Sequence, residues 1–422
     1  MHSHTRAVAL EPYGDLVAFA LEPNGNLIAF AQSLLADAGS GRRESEQQFY
    51  IVDLQSVDRT LATWRTVLPR VRPFYAIKCN PDMGVLRTIA DAGGDFDCAS
   101  PNEIERVLSL GVHPERILFA NPCKRKIDLK HALGCGVTLT TLDSIFELDK
   151  IAEVCGTRMA AMLRIYASDP HAQCLLSNKF GAHPSEWAAI LQRFVETGVP
   201  MAGISFHVGS GACTPAAFES AIGQARACID MARALGLEPF IVDVGGGFVP
   251  ATFERIGATV AAALDAHFPA ESGFELIAEP GRLLAERCAH LVCPVIGKKV
   301  GGNGTHQYWI ADGVYGSFNC MLYDHAAAPV PILLTGDAKQ DVTKQDVTKQ
   351  DVTKQDVTKV TCKIVGPSCD SIDETHTDIL MPEMDVGDWL LFPNMGAYTI
   401  AGASCFNGIP FYKTPTVYVR LT

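Results

Sequence analysis

Short runs of β-branched and aromatic residues recur through the middle of the chain at spacings of roughly 20 to 40 residues, and between them apolar positions follow a helical period. Eight such runs stand at 74–78, 95–99, 117–120, 138–141, 159–166, 203–208, 240–244 and 275–279. The stripes between them include Ile104, Val107, Leu108 and Leu110, and later Phe218, Ala221, Ala225 and Ile229. Eight alternating units predict a closed (β/α)8 barrel of the TIM type. Ahead of it, residues 1–47 carry helical periodicity (Leu16, Phe19, Ala20; Leu27, Phe30, Leu34, Leu35) interrupted at Pro23, Asn24 and Gly25. A strand at 49–52 and a helix at 57–68 follow. Beyond Arg282 the chain turns β-rich, with strand-like runs at 291–296, 308–311, 360–365, 389–392 and 416–421 and a turn at 301–304. These predict a C-terminal all-β sandwich or barrel domain that also takes up the N-terminal segment. The expected boundaries are 1–53, 54–284 and 285–422. A fourfold QDVTK repeat over 340–359 has neither a helical nor a strand period and reads as a polar, solvated loop.

Composition narrows the function. The chain has 422 residues, 48% of them hydrophobic, which suffices for two domains. A formal net charge of −12 argues against nucleic-acid binding and favours a small cationic substrate. The 14 cysteines form no C-x-x-C pair and no zinc spacing, so reduced thiols, a cytoplasmic location and no metal are expected. Glu11 and Asp15 interrupt the early apolar pieces, and neither a signal peptide nor a membrane span is expected. Lys124, Arg125, Lys126 and Lys130 read as a solvated helix face, with docking of an acidic partner as the alternative.

In such a barrel, chemistry collects at the C-terminal ends of the strands. Those ends carry Lys78, Asp97, Arg164, His207, Asp243 with Gly245, Gly246 and Gly247, and Glu279 with Gly281 and Arg282. Singly, Asp97 could cap a helix, His207 could be a core histidine and the glycines could form a turn. Together at one mouth, the glycines with Ser210 and Arg282 make an anion cradle. A lysine amine, a phosphate cradle and a carboxylate point to pyridoxal 5′-phosphate. Lys78 would carry it as a Schiff base, Glu279 would face the pyridine nitrogen and His207 would lie against the ring. The β-rich part adds YGSFN (315–319), LYDH (322–325), GPSCD (366–370) with Asp373, and NMGAY (394–398). On residue type alone, Cys369 reads as an apolar thiol and Asp370 as a turn residue.

From about Phe49 to the C-terminus the chain resembles the eukaryotic ornithine decarboxylases, within the barrel-type, alanine racemase-like pyridoxal-phosphate decarboxylases. The resemblance rests on FYAIKCN (74–80), FDCAS (96–100), SFHVGSG (205–211), DVGGGF (243–248), AEPGR (278–282), YDH (323–325), GPSCD (366–370) and NMGAYT (394–399). It implies decarboxylation of L-ornithine to putrescine, in polyamine biosynthesis. It makes Lys78 the cofactor lysine, with Asp97 and Arg164 ordering its surroundings and Glu103 nearby. Ser210, Gly247, Arg282 and Tyr398 become phosphate ligands. Asp324 and Asp370 hold the distal amine beside Tyr323 and Phe406, and Cys369 returns a proton to Cα. It implies a homodimer with shared active sites, Lys179 and Asp373 bridging the subunits, and antizyme as a candidate partner. The alternatives are a lysine or other basic amino-acid decarboxylase, or an inactive antizyme-binding relative. Two departures stand out: Ala212, Cys213, Thr214 and Pro215 include no acidic residue where the family has one, and Ser371–Ile372 replaces the usual Gly-Leu. With no long segment after Thr422, the degradation tail of mammalian members is not expected.

Overall fold

The computed structural model describes residues 7–9, 17–21, 27–37, 41, 45–302, 304–334 and 359–421. They fall into two compact units, Val57–Glu286 and the combination of Met1–Ser56 with Arg287–Thr422.

The first unit is a closed barrel of eight parallel strands. In chain order they are Val71–Ala76, Asp95–Cys98, Ile117–Phe119, Leu139–Leu142, Ala160–Arg164, Met201–Ser205, Ile241–Asp243 and Glu275–Ala278. The last closes on the first with Ala278 opposite Pro73. Phe74, Leu118, Met162, Ala202, Ile241 and Ile277 pack together as one buried cluster. Burying each of the larger chains stabilises the fold by roughly 1.5–3 kcal/mol. Local chemistry starts the helices between strands. Asp82 accepts the Gly84 and Val85 amides ahead of helix Met83–Asp91. Ser100 accepts the Glu103 amide, while Glu103 Oε2 takes the Ala99 amide at 2.5 Å. The helix cap is therefore Ser100, which leaves Asp97 for another task.

One strand end differs from the sequence reading. The first strand runs from Val71 to Ala76, and the chain then turns through a short 3-10 helix, Ile77–Cys79. Ala76 donates to the Pro280 carbonyl at 3.2 Å, and Tyr75 donates its hydroxyl to the Asn80 carbonyl at 3.0 Å. Lys78 thus sits two residues past the strand, on a turn pinned from both sides.

The second unit is a mixed ten-stranded sheet. Thr416–Leu421 lies parallel to both Val17–Leu21 and Phe49–Asp53, and His306–Ile310 lies parallel to Lys359–Val365. Ala289–Val300 pairs antiparallel with Phe49–Asp53, so the N-terminal strands do belong to this sheet. Helix Leu27–Ala36 buries Phe30, Ala31, Leu34 and Leu35 against Phe49, Ile51, Val292, Trp389, Leu391 and Val419. The helical reading around Phe19 and Ala20 fails, because Val17–Leu21 is a strand. Its five residues are too few for periodicity to separate the two states. Ile332–Leu334 and Glu374–Pro382 are strands that the pattern did not announce, the first too short and the second too polar and exposed. The repeat lies outside the described residues apart from Lys359.

Candidate active site

Lys78 Nζ stands 2.5 Å from Asp97 Oδ2, with the lysine side chain 43% exposed and the aspartate 1%. The next-but-one strand end on the other side carries the glycine run. Gly245 and Gly247 take φ values of +67° and +101°, which side-chain-bearing residues rarely adopt. A Cβ on Gly246 would stand 2.7 Å from the Glu279 carbonyl oxygen and 2.8 Å from His207 Nε2. Behind the run, Phe248 is wedged among Trp64, Phe218 and Phe253, with ring centroids 5.1 to 5.8 Å away. Arg282 Nη2 donates to Ser210 Oγ at 3.2 Å, and both side chains are buried.

The charges here are set by burial. His207 is held well below the ordinary histidine range, first by desolvation and then by Arg164 and Lys78. Its Nδ1 takes the Gly209 amide at 3.0 Å, so the neutral ring carries its proton on Nε2. Desolvation pushes the Glu279 carboxyl well up, and Asp243 and Asp97 push it further. Asp243 is raised as well, with burial as the leading cause. Arg164 lies over the Phe180 ring, its Cζ 5.0 Å from the centroid.

The other candidates belong to the sheet unit. Asp370 Oδ2 accepts the Tyr315 hydroxyl at 2.5 Å, and its Oδ1 accepts the Ile372 amide at 3.1 Å. The Tyr315 bond leads the causes that hold Asp370 below the usual carboxylate range, and the tyrosine itself is pushed up to about 12. Tyr315 stacks on Phe406 with centroids 4.0 Å apart, and both line a cavity of about 340 Å³ with Tyr323, Ser404 and Cys405. Cys369 is exposed, its amide donating to Asn407 Oδ1 at 2.9 Å. Asp324 is buried at the end of the short helix Cys320–Tyr323, while Tyr323 is 74% exposed. Tyr398 has a left-handed backbone, φ 57°.

The model of the pyridoxal-dependent decarboxylases, pyridoxal binding domain, matches residues 54–286. The chain belongs to this family. Ornithine decarboxylase of Mus pahari is 40% identical over 393 residues, which cover 89% of this chain and 81% of the relative. The chloroplastic ornithine decarboxylase of Nicotiana glutinosa is 40% identical over 382 residues, covering 90% and 85%. Among solved structures, the arginine decarboxylase of Paramecium bursaria Chlorella virus bound to agmatine superposes with a TM-score of 0.83 at 34% identity, covering 92% of this chain and all of that one.

As a pyridoxal-dependent decarboxylase, the chain takes pyridoxal phosphate, and the barrel mouth fits it. The Gly246, Gly247 and Gly281 amides donate to no acceptor among the described residues, which suits them to cradle a phosphate. Asp97 Oδ1 is buried without a hydrogen-bond partner among those residues. Such an orphaned acceptor suits a group that brings an N–H donor or positive charge.

Arg125, Lys126 and Lys130 of the basic cluster are exposed as expected, and Lys124 alone departs from the solvated face. Lys124 is buried, with Nζ on the Thr141 carbonyl (2.6 Å), the Asn121 carbonyl (2.8 Å) and Glu147 (3.1 Å), and burial leads in lowering its pKa. Arg125 pairs with Asp128 and Lys126 with Glu153. Asp373, matched by resemblance to an intersubunit pair, is 3% exposed and accepts the Val314 amide at 2.8 Å and the Ser368 amide at 3.0 Å. Within the chain it ties together the segments bearing Tyr315 and Asp370.

Sequence reading passed over Asp312, which lacks any local motif. It is fully buried, and its Oδ1 takes the Gly313 and Ser317 amides at 2.7 and 2.8 Å while Oδ2 takes the Ser317 hydroxyl at 2.5 Å. Burial leads in pushing its carboxyl up to about 6. A folded value above the unfolded one means that its stabilising contribution is complete below about pH 4 and lost as pH rises through about 6. Asp312→Asn keeps an oxygen for both amides and lets the amide group donate to Ser317. Chemical denaturation across pH 4 to 7 is expected to show a smaller fall in stability for the variant than for the unsubstituted protein.

Proposed function

We propose that the chain decarboxylates L-ornithine to putrescine. The observation that carries the proposal is the barrel mouth itself, where Lys78 lies against buried Asp97 beside open glycine amides and the Ser210–Arg282 pair. The 40% identity to ornithine decarboxylases supports the choice of substrate.

Bound pyridoxal phosphate supplies an electron sink for the charge left on Cα when CO2 departs. The remaining work falls to side chains. Lys78 would tether the cofactor, Asp97 orients its amine and balances its charge, and Arg164 would order the surroundings. Gly246, Gly247, Gly281, Ser210, Arg282 and Tyr398 would hold the phosphate, with Gly245, whose amide donates to Asp243 Oδ1 at 2.8 Å, shaping the turn. Glu279 would pair with the pyridine nitrogen, whose cationic N–H would offset the burial and the Asp243 and Asp97 charges that raise the carboxyl's pKa. His207, neutral and anchored through Nδ1, offers a flat ring without adding positive charge. Asp370 is held ionised by Tyr315 and receives the distal ammonium together with Asp324. Tyr323 and Phe406 cover the alkyl chain, and Cys369 gives the proton to Cα.

The full machinery is a homodimer with shared sites, placed in the cytoplasm, where 14 cysteines remain free thiols. No helix among the described residues is long and apolar enough to cross a membrane. Antizyme is the proposed protein partner.

The likeness to a solved arginine decarboxylase favours a second reading, a preference for a longer basic amino acid. One extra methylene changes pocket affinity by only roughly 1–3 kcal/mol, so discrimination should be finite. With cofactor present, kcat/KM for L-ornithine is expected to exceed that for L-lysine and L-arginine by about 10-fold or more. A higher kcat/KM for L-arginine would replace the ornithine assignment.

A further inference from the structure

The loop that follows the fifth barrel strand, Ala160–Arg164, folds over the loop that follows the sixth, Met201–Ser205. Cys174 and Ser210 exchange both main-chain hydrogen bonds, at 3.1 and 3.0 Å, and the Asp169 amide donates to the Val208 carbonyl at 2.7 Å. The approach is close enough that a Cβ on Gly209 would stand 2.7 Å from Ala172 Cβ and 2.9 Å from the Cys174 carbonyl oxygen. The far side of the same segment is tied down as well, since Ala212 donates to the Gly247 carbonyl at 3.0 Å.

Asp169 sits at the base of this arrangement, fully buried. Its Oδ2 accepts the Cys213 and Thr214 amides, both at 2.8 Å, and its Oδ1 accepts the His171 amide at 3.0 Å. Burial alone would raise its pKa, but the His171, Thr214 and Cys213 amides outweigh that and hold the carboxyl below its ordinary value. Helix Pro215–Ala234 begins immediately afterwards, and its N-cap residue Thr214 makes no side-chain cap bond. The local capping carboxylate that this stretch lacks is thus offset by one arriving from the neighbouring loop.

We propose that Asp169 is a positioning residue for the cofactor phosphate. It clamps the segment 209–214 from below, while the Cys174–Ser210 bridge holds it from the side, so that Ser210 Oγ stays where Arg282 Nη2 meets it at 3.2 Å. Asp169 acts through the loop and touches no reacting atom. The proposal rests on the reading that Ser210, the glycine run and Arg282 hold the phosphate.

The test separates phosphate from ring. Apoprotein is titrated with pyridoxal phosphate and, separately, with pyridoxal, following the absorbance of the lysine-linked chromophore. The unsubstituted protein is expected to bind pyridoxal phosphate far more tightly than pyridoxal. Asp169→Ala is expected to weaken pyridoxal phosphate by about 10-fold or more and leave pyridoxal unchanged, because only the phosphate meets the loosened loop. Asp169→Asn, isosteric and with one oxygen still able to accept amides, is expected to fall between them and serves where the alanine variant does not fold. Inorganic phosphate should compete with pyridoxal phosphate less well in either variant than in the unsubstituted protein. If both affinities fall together, or their ratio does not move, Asp169 is a general structural residue and the proposal is overturned. If the unsubstituted protein itself fails to distinguish the two ligands, the phosphate reading falls first and takes this inference with it.

Discussion

Lys78→Ala is expected to lower CO2 release from L-ornithine by roughly 100- to 10,000-fold or more, the range lost when a group acting directly on the reaction is removed. Lys78→Arg should be no better. A guanidinium retains a positive charge near Asp97 but has no amine that can exchange with the substrate amine. The comparison therefore separates two roles that the 2.5 Å contact with Asp97 could serve, a salt bridge that shapes the mouth and a nucleophile that carries the cofactor. Recovery of turnover in the arginine variant would favour the first. Thermal denaturation of both variants supplies the control, since a chain that melts as the unsubstituted protein does has lost chemistry rather than its fold.

Cys369→Ala is the second large effect. Cys369 is exposed on a loop held by Asn407, and its task in the proposed mechanism is to deliver one proton. Loss of a general acid lowers kcat by roughly 100- to 10,000-fold. Its more informative use is in a mixture. If each site draws Lys78 from one subunit and Cys369 from the other, equal amounts of Lys78→Ala and Cys369→Ala chains, each inactive alone, should recover about a quarter of the unsubstituted activity through random pairing into symmetric dimers. Complementation measured after subunit exchange gives the answer, and absence of any recovery would mean that each chain builds its own site.

The barrel was legible because buried parallel strands read as continuous apolar runs and the helices between them as stripes, two signals that do not depend on distant residues. Lys78, Asp97, His207, Gly245 and Glu279 were legible for a related reason. In a barrel, the residue at each strand end is brought to one mouth by topology alone. What the sequence concealed is contact between loops. Asp169 stands more than forty positions from the amides of Cys213 and Thr214 that it holds. Tyr315 reaches Asp370 across 55 positions. Lys124 looked like a surface cation within a basic run, yet the distant Thr141 carbonyl and Glu147 join the nearby Asn121 carbonyl to enclose it. Nothing local marks such partners, because their hydrogen bonds exist only once the barrel and the sheet have formed. The strand Val17–Leu21 was misread for the opposite reason, too short a stretch to carry a period.

The central claim is that one lysine at the barrel mouth carries the cofactor. Borohydride reduction of the protein loaded with pyridoxal phosphate, followed by proteolysis and mass spectrometry, locates the attachment directly. The label should appear on the peptide containing Lys78 and on no other, whereas a label on a different lysine, or none after loading, would contradict the account.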